Sequence, residues 1–395
     1  MSILHATTGV DLDDTQVGYA YRSTEELRLA YLLFRLLRHG TMVKAANKLG
    51  EKALKWGLPV HGLLRSTLGR LFLGGESLKE TLPVLNRLRQ YGVTAMLDYA
   101  VEASQEPEAQ ERTVQEYVQM IEFAGAHPEL VSHVAIKLTA IASPLLWERL
   151  SQGGRLSAPL LAEEKRFHER FSYLMQVAEQ HQVPLMIDAE ESWIQPAIDA
   201  IAERYMPIVN RNGKVLLYTT IQMYRRDRLA YLERLLGADY MIGIKLVRGA
   251  YVEKERQRAR LYGYPDPIHP TKAATDIAYD QALMMCLENI ERVALCVATH
   301  NRNSCMKAVQ YAILKEWAPN HPHLSFSQLY GMADPLSFGL AKAGFRVIKY
   351  VPYGPIDQAF PYLSRRAEEN SSLSDQSGRE LRWVSEELAR RKSKG

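Results

Sequence analysis

Cysteine is scarce in this chain: three residues in 395, Cys286, Cys296 and Cys305, with no C-x-x-C pair. That speaks against a disulfide framework and a thiolate zinc site, and points to a reducing cytoplasm. Charge of one sign is also lacking, because 49 basic residues are set against 45 acidic ones for a net of +4. A nucleic-acid binder would gather its cations on one face, so nucleic acid is not an expected partner. No apolar run approaches the length of a membrane span. The start, Met-Ser-Ile-Leu-His-Ala and then Asp11, Asp13 and Asp14, has neither the basic head nor the apolar core of a leader peptide. No Gly-x-Gly-x-x-Gly or Walker-type loop follows an apolar segment, which disfavours a Rossmann-bound dinucleotide. The histidines do not fall at metal-ligand spacing, so no metal is expected.

What is present is a rhythm. Eight short β-branched or aliphatic segments, at 93–99, 133–138, 184–188, 215–222, 241–247, 293–300, 324–328 and 345–350, alternate with stretches of helical apolar spacing such as 167–178 and 273–291. The segments are too apolar for one-sided exposure. The pattern therefore predicts an α/β fold, a parallel sheet closed into a (βα)8 TIM-like barrel, with an N-terminal helical arm over 1–85, the barrel with a C-terminal lid helix over 86–373, and a C-terminal helix with a basic tail over 374–395. In the tail, Leu381, Val384 and Leu388 fall near one face. This suits packing on the barrel, with membrane contact through Trp383 and the last basic residues as the minority reading.

In such a barrel chemistry gathers at the carboxyl ends of strands. Those ends carry Asp98, Lys137, Asp188, Gln222, Lys245 with Arg248, His300 with Asn301, Gln328 and Tyr350. A charge closing an apolar strand must face the mouth or be buried at a cost of several kcal/mol if unpaired. Lys137 suits a Schiff-base nucleophile or a fixed cation, and Asp188 a general base or an anchor for a cation. Of Glu190 and Glu191, one is expected to face the outer helices or solvent. In Ile244-Lys-Leu-Val-Arg-Gly-Ala-Tyr251 two cations precede Gly249, whose missing side chain would let a ligand approach the backbone. The loop Pro265-Asp-Pro-Ile-His-Pro270 is long enough to be functional. Past the last strand, Tyr362, Arg365, Arg366 and Glu369 fall at 0, 3, 4 and 7 on a helix, so they share a face on which two guanidiniums can grip a carboxylate. A solvent-facing helix laced with i,i+4 pairs is the bland alternative.

Seven motifs in order over about residues 90–373 resemble the proline dehydrogenase family: Leu97-Asp-Tyr-Ala-Val-Glu102, Ile136-Lys-Leu-Thr-Ala140, Ile187-Asp-Ala-Glu-Glu191, Lys245-Leu-Val-Arg-Gly-Ala-Tyr251, Ala298-Thr-His-Asn301, Gln328-Leu-Tyr-Gly-Met332 and Tyr362-Leu-Ser-Arg-Arg366 with Glu369-Asn370. The stretch Asp14 to Arg28 is similar to stand-alone, mitochondrial-type members, and no aldehyde dehydrogenase part follows. The resemblance implies noncovalent FAD, L-proline as substrate, 1-pyrroline-5-carboxylate as product, and a membrane quinone as electron acceptor with peripheral membrane contact. It implies that Lys137, Arg365 and Arg366 bind the proline carboxylate, that Glu369 pairs with the arginines, and that Asp188 orders the site. Leu329, Tyr350 and Tyr362 would wall the ring. Gln222, Lys245, Val247, Arg248, Gly249, Ala250, Tyr251, Thr271, Lys272, Thr299, His300 and Asn301 would hold FAD. Fused members carry Arg in place of Lys245, and their pattern after Asn370 is longer. Two rival readings from the residues are a Schiff-base aldolase using Lys137 and a non-catalytic membrane adaptor using the C-terminal helix.

Overall fold

The computed structural model describes residues 9–56, 59–101, 106–372 and 374–393. Eight strands, β1 (Val93–Tyr99), β2 (Val131–Ile136), β3 (Leu185–Ile187), β4 (Leu217–Gln222), β5 (Ile242–Val247), β6 (Val293–Ala298), β7 (Leu324–Leu329) and β8 (Val347–Tyr353), follow one another in chain order around a closed barrel. The pairings are parallel, as expected for strands buried on both faces; every residue of β4 is buried. By backbone contacts the chain divides into two compact units, Met1–Glu102 with Gln328–Gly395, and Ala103–Ser327.

In the second unit, helices follow each strand and lay apolar faces on the sheet. The helix Pro107–Ala126 buries Tyr117, Met120 and Ile121, and Ala158–His181 buries Phe167, Phe171 and Leu174. Trp147 is fully buried, edge-on to Phe167 at 4.7 Å. β2 ends sooner than its apolar run, because Lys137 begins a 3-10 turn over Leu138–Ala140.

In the first unit, β1 and β8 pair from Val93 with Val347 to Tyr99 with Tyr353. Tyr350 does not close β8: the strand runs three residues further, through Pro352. The Pro352 carbonyl accepts from Gly74 N at 2.8 Å, so the side of the proline that lacks a donor faces away from β1 and the pairing is unharmed. The helix Thr24–Leu37 starts in a capping box, Ser23 Oγ accepting from Glu26 N at 3.1 Å and Glu26 Oε2 from Ser23 N at 2.8 Å. The helix Ser374–Lys392 packs on it. That helix buries Glu380, Trp383, Val384 and Glu387, a face turned from the one expected, with Leu381 and Leu388 at its margins. Trp383 is 1% exposed and donates to Asp13 Oδ1 at 3.2 Å, so the minority reading of this indole as a membrane anchor is wrong and its packing role is what the helix shows.

The first unit is organised about a buried carboxylate. Asp334 Oδ2 accepts from Tyr21 OH at 2.8 Å and Arg22 Nε at 2.9 Å, and Oδ1 pairs with Lys349 Nζ at 2.9 Å. Lys349, with no exposed surface, also donates to the carbonyls of Met332 at 2.6 Å and Leu329 at 3.3 Å. Burial, the largest influence on Asp334, pushes its pKa up; Lys349 and Arg22 more than offset it and hold the group below its usual range. Replacing Lys349 by Met leaves this charge short of a partner. The expected loss is about 3–5 kcal/mol, read as a lower urea midpoint at unchanged slope; an unaltered midpoint would show that the pair does not hold the unit together.

Candidate active site

In the second unit the carboxyl ends of β2 to β5 carry four expected residues, of which Gln222 and Lys245 are buried and Lys137 and Asp188 half-buried. Lys245, in β5, bonds directly to Asp188, the residue after β3. The pair is largely buried, with side chains 6% and 16% exposed, so each charge offsets part of the hydration the other has lost. Gln222, closing β4, donates Nε2 to the Glu190 carbonyl at 2.6 Å. Lys137 follows β2, its backbone N–H bonded to Tyr117 OH at 2.9 Å, and its charge acts on Glu190.

Of the two glutamates, Glu191 turns to Lys254 on the outer helix Val252–Tyr262, as expected for one of them, while Glu190 is 7% exposed and its Oε1 accepts from Thr139 Oγ1 at 2.6 Å. Its N–H donates to Gln195 Oε1 at 2.7 Å, which begins a chain to Asp199 and Arg228. Burial, then the neighbouring Glu191, raises its pKa to about 7 against the bond from Thr139 and the charge of Lys137. The available signal was Thr139 in Ile136-Lys-Leu-Thr-Ala140, a hydroxyl one turn from a strand end that needs an acceptor once buried.

A second group lies at the ends of β5 and β6. Arg248 donates Nε to Asp276 Oδ1 at 2.6 Å, Nη1 to Thr299 Oγ1 at 2.6 Å and Nη2 to Ser304 Oγ at 3.0 Å, and lies 4.2 Å from the Tyr279 ring centre. Asp276 also takes Lys272 Nζ at 2.6 Å, which joins Lys272 to the group. Thr271 caps the helix Lys272–Glu288, and Asn301 caps Arg302–Leu314, accepting from Asn303 N at 2.9 Å and Ser304 N at 3.3 Å. His300 and Tyr251 are half-buried, Val247 closes β5, and Ala250 is exposed. At Gly249, φ +129°, an added Cβ would stand 2.2 Å from the Tyr224 ring, so both the backbone conformation and the packing of that ring require glycine here. The loop around Pro265–Pro270 is fastened rather than free, His269 N donating to Tyr224 O at 2.7 Å and Arg226 Nε to Ile268 O at 2.8 Å.

In the first unit, Tyr362, Arg365, Arg366 and Glu369 all fall within the helix Phe360–Ser372. Tyr362 is buried, the arginines are half-buried, and the Arg366 guanidinium stands 5.4 Å from the Tyr362 ring centre. The Glu369 side chain lies outside the described residues. Leu329 closes β7, its carbonyl held by Lys349, and the Tyr350 carbonyl accepts from Tyr330 N at 2.9 Å. Lys349 and Asp334, which fix the backbone beside both residues, were not anticipated.

A closed parallel barrel with cations and carboxylates at its strand ends is an enzyme scaffold. A family model described as proline dehydrogenase matches residues 81–379. Proline dehydrogenase 1, mitochondrial, of Arabidopsis thaliana is 31% identical over 433 residues, covering 97% of this chain and 87% of the relative. The carbapenem antibiotics biosynthesis protein CarD of Pectobacterium carotovorum subsp. carotovorum is 32% identical over 341 residues, 84% of this chain and 86% of that one. The solved structure of proline utilization A (PutA) from Bdellovibrio bacteriovorus inactivated by N-propargylglycine superposes with a TM-score of 0.69 at 22% identity; it covers 90% of this chain, which spans only 38% of that longer protein. The chain belongs to the proline dehydrogenase family and is an oxidoreductase of proline catabolism.

The raised pKa of Glu190 has a consequence for stability. Its folded value, about 7, lies above the ordinary 4.5, so its stabilising contribution is complete below the ordinary value and is lost as pH rises through about 7. Glu190→Gln keeps the neutral shape without the ionisation. Denaturant unfolding should show the variant gaining on the parent chain as pH rises across that window; parallel curves would mean that Glu190 ionises freely in the fold.

Proposed function

We propose that this chain uses noncovalent FAD to oxidise L-proline to 1-pyrroline-5-carboxylate and passes the electrons to a membrane quinone, working in the cytoplasm with peripheral contact to the inner face of the membrane. The observation that carries the reading is the largely buried Lys245–Asp188 pair, with Asp188 and Lys137 both acting on Glu190, in a family whose motifs the chain carries in order. The donor set fits the cofactor. Arg248 and Lys272 share the single carboxylate of Asp276, leaving positive charge at the starts of two helices, a setting that suits a pyrophosphate.

In this reading Gln222, Lys245, Val247, Arg248, Gly249, Ala250, Tyr251, Thr271, Lys272, Thr299, His300 and Asn301 hold FAD, which when bound supplies a hydride acceptor. Asp188 fixes the Lys245 ammonium. Lys137, Arg365 and Arg366 clamp the proline carboxylate, with Glu369 beside the arginines, and Leu329, Tyr350 and Tyr362 wall the ring so that one carbon next to nitrogen is presented for oxidation. The amine must give up its proton before that carbon loses hydride, so that the product forms as a stabilised iminium.

Two variants test the clamp. Arg365→Met and Arg366→Met each remove a charge-assisted bond of about 1.5–3 kcal/mol. The KM for proline in reduction of a soluble quinone analogue should therefore rise roughly ten- to a hundredfold at unchanged flavin content. Parent-like KM values in both would leave the arginines as surface residues. Tyr350→Ser should raise the ratio of kcat/KM for trans-4-hydroxy-L-proline over that for proline, mainly because proline loses its fit; an unchanged ratio would show that Tyr350 does not face the ring.

A further inference from the structure

Exposed apolar side chains are concentrated in one part of the first unit. Leu32, Leu36, Met42, Leu49, Trp56 and Leu63 are each more than half exposed, from 55% for Leu32 to 73% for Trp56, and all lie within residues 32–63. The helix Gly40–Lys55 shows how they are displayed. One face is committed: Val43 is buried, Asn47 Nδ2 donates to Ser364 O at 3.2 Å and Glu368 Oε1 at 2.9 Å, and Gly50 lies so close to Phe360 that a Cβ would meet its ring at 2.7 Å. Met42, Leu49 and Trp56 recur every seventh residue, roughly a third of a turn from that face, with exposed Ala45 and Ala46 between them. Exposed Lys48 and Lys52 flank the stripe. On the preceding helix, Leu32 and Leu36 are one turn apart among exposed Arg28, Arg35 and Arg38.

The charge on this segment is as uneven as its exposure. Residues 28–56 hold seven lysines and arginines against one acid, Glu51, a net of +6 that exceeds the +4 of the whole chain and leaves the remainder at −2. A second copy of the same face would bring like charges together. An anionic lipid surface complements both the charge and the apolar stripe, and an interfacial helix of this pattern binds through both. Among the described residues no helix is long and apolar enough to cross a membrane, so any contact with one through these helices is interfacial.

We propose that the exposed face of the helices Thr24–Leu37 and Gly40–Lys55 docks on anionic phospholipid, with Met42, Leu49 and Trp56 entering the interface and Lys48, Lys52, Arg35 and Arg38 meeting the headgroups. The proposal gives a surface to the membrane contact suggested above, but vesicle binding is measured without turnover. The full chain should sediment with vesicles of equal parts phosphatidylcholine and phosphatidylglycerol, bind pure phosphatidylcholine far less, and release as salt rises. Leu49→Glu combined with Trp56→Glu should weaken binding at least about tenfold, since each leaves an apolar insertion unmade, while proline-dependent reduction of a soluble acceptor stays unchanged. Lys48→Glu with Lys52→Glu should act in the same direction. Equal binding to both vesicle types, no binding by the parent chain, parent-like binding by both variants, or a dimer that the variants dissociate without change in lipid affinity would each overturn the proposal. Loss of proline turnover in the parent chain with lipid binding intact would count against the enzymatic reading alone.

Discussion

The Asp334 carboxylate and the Lys349 ammonium are buried together, 2% and 0% exposed by side chain, and much of the first unit follows from satisfying them. Two buried charges are tolerable only with near-complete hydrogen bonding. The carboxylate therefore takes Tyr21 and Arg22 from the N-terminal segment, and the ammonium takes the carbonyls of Leu329 and Met332. Ala333, the next residue, donates its N–H at 3.0 Å to Glu380 of the C-terminal helix, a carboxyl that burial pushes up to about 7. Arg391 then reaches back to the carbonyls of Tyr19 at 2.8 Å and Arg22 at 3.0 Å. One ion pair thus fixes the chain beside β7 and β8, and draws in both ends of the sequence.

The second unit meets the same problem at Lys245 and Asp188. There the buried pair is accompanied by a carboxyl, Glu190, that ionises only near neutrality, so the local charge is set by few groups and their bonds. In the function proposed above, a site that binds a carboxylate and accepts a neutral amine would gain from such a setting, because cationic side chains are kept in place by partners instead of by solvent.

The architecture was legible because two periods alternate without ambiguity, and each of the eight apolar runs became a strand. Ends were less legible. Nothing in 133–138 announces that Lys137 starts a 3-10 turn, and Pro352 reads as a strand stop unless the neighbour on its donor side is known. The strand-end residues Lys137, Asp188, Gln222 and Lys245 stand out in the sequence because charge and amide groups after apolar runs demand an explanation. Their pairing, Lys245 with Asp188 across 57 residues, is invisible to local pattern. Lys349 was missed for the converse reason: between Ile348 and Tyr350 it reads as an outward-facing strand residue, and only the fold supplies its anion. Trp383 likewise belongs to the buried face because Glu380 and Glu387, acids a helical wheel assigns to solvent, find partners inside.

Whether this fold carries a flavin that proline reduces is tested most directly by the absorption spectrum of the purified, FAD-saturated protein during anaerobic titration with L-proline. A flavin band is expected that bleaches on addition of proline and returns with a quinone analogue. A folded protein that retains FAD yet shows no spectral change with proline, or one that cannot take up FAD at all, would contradict the proposed function.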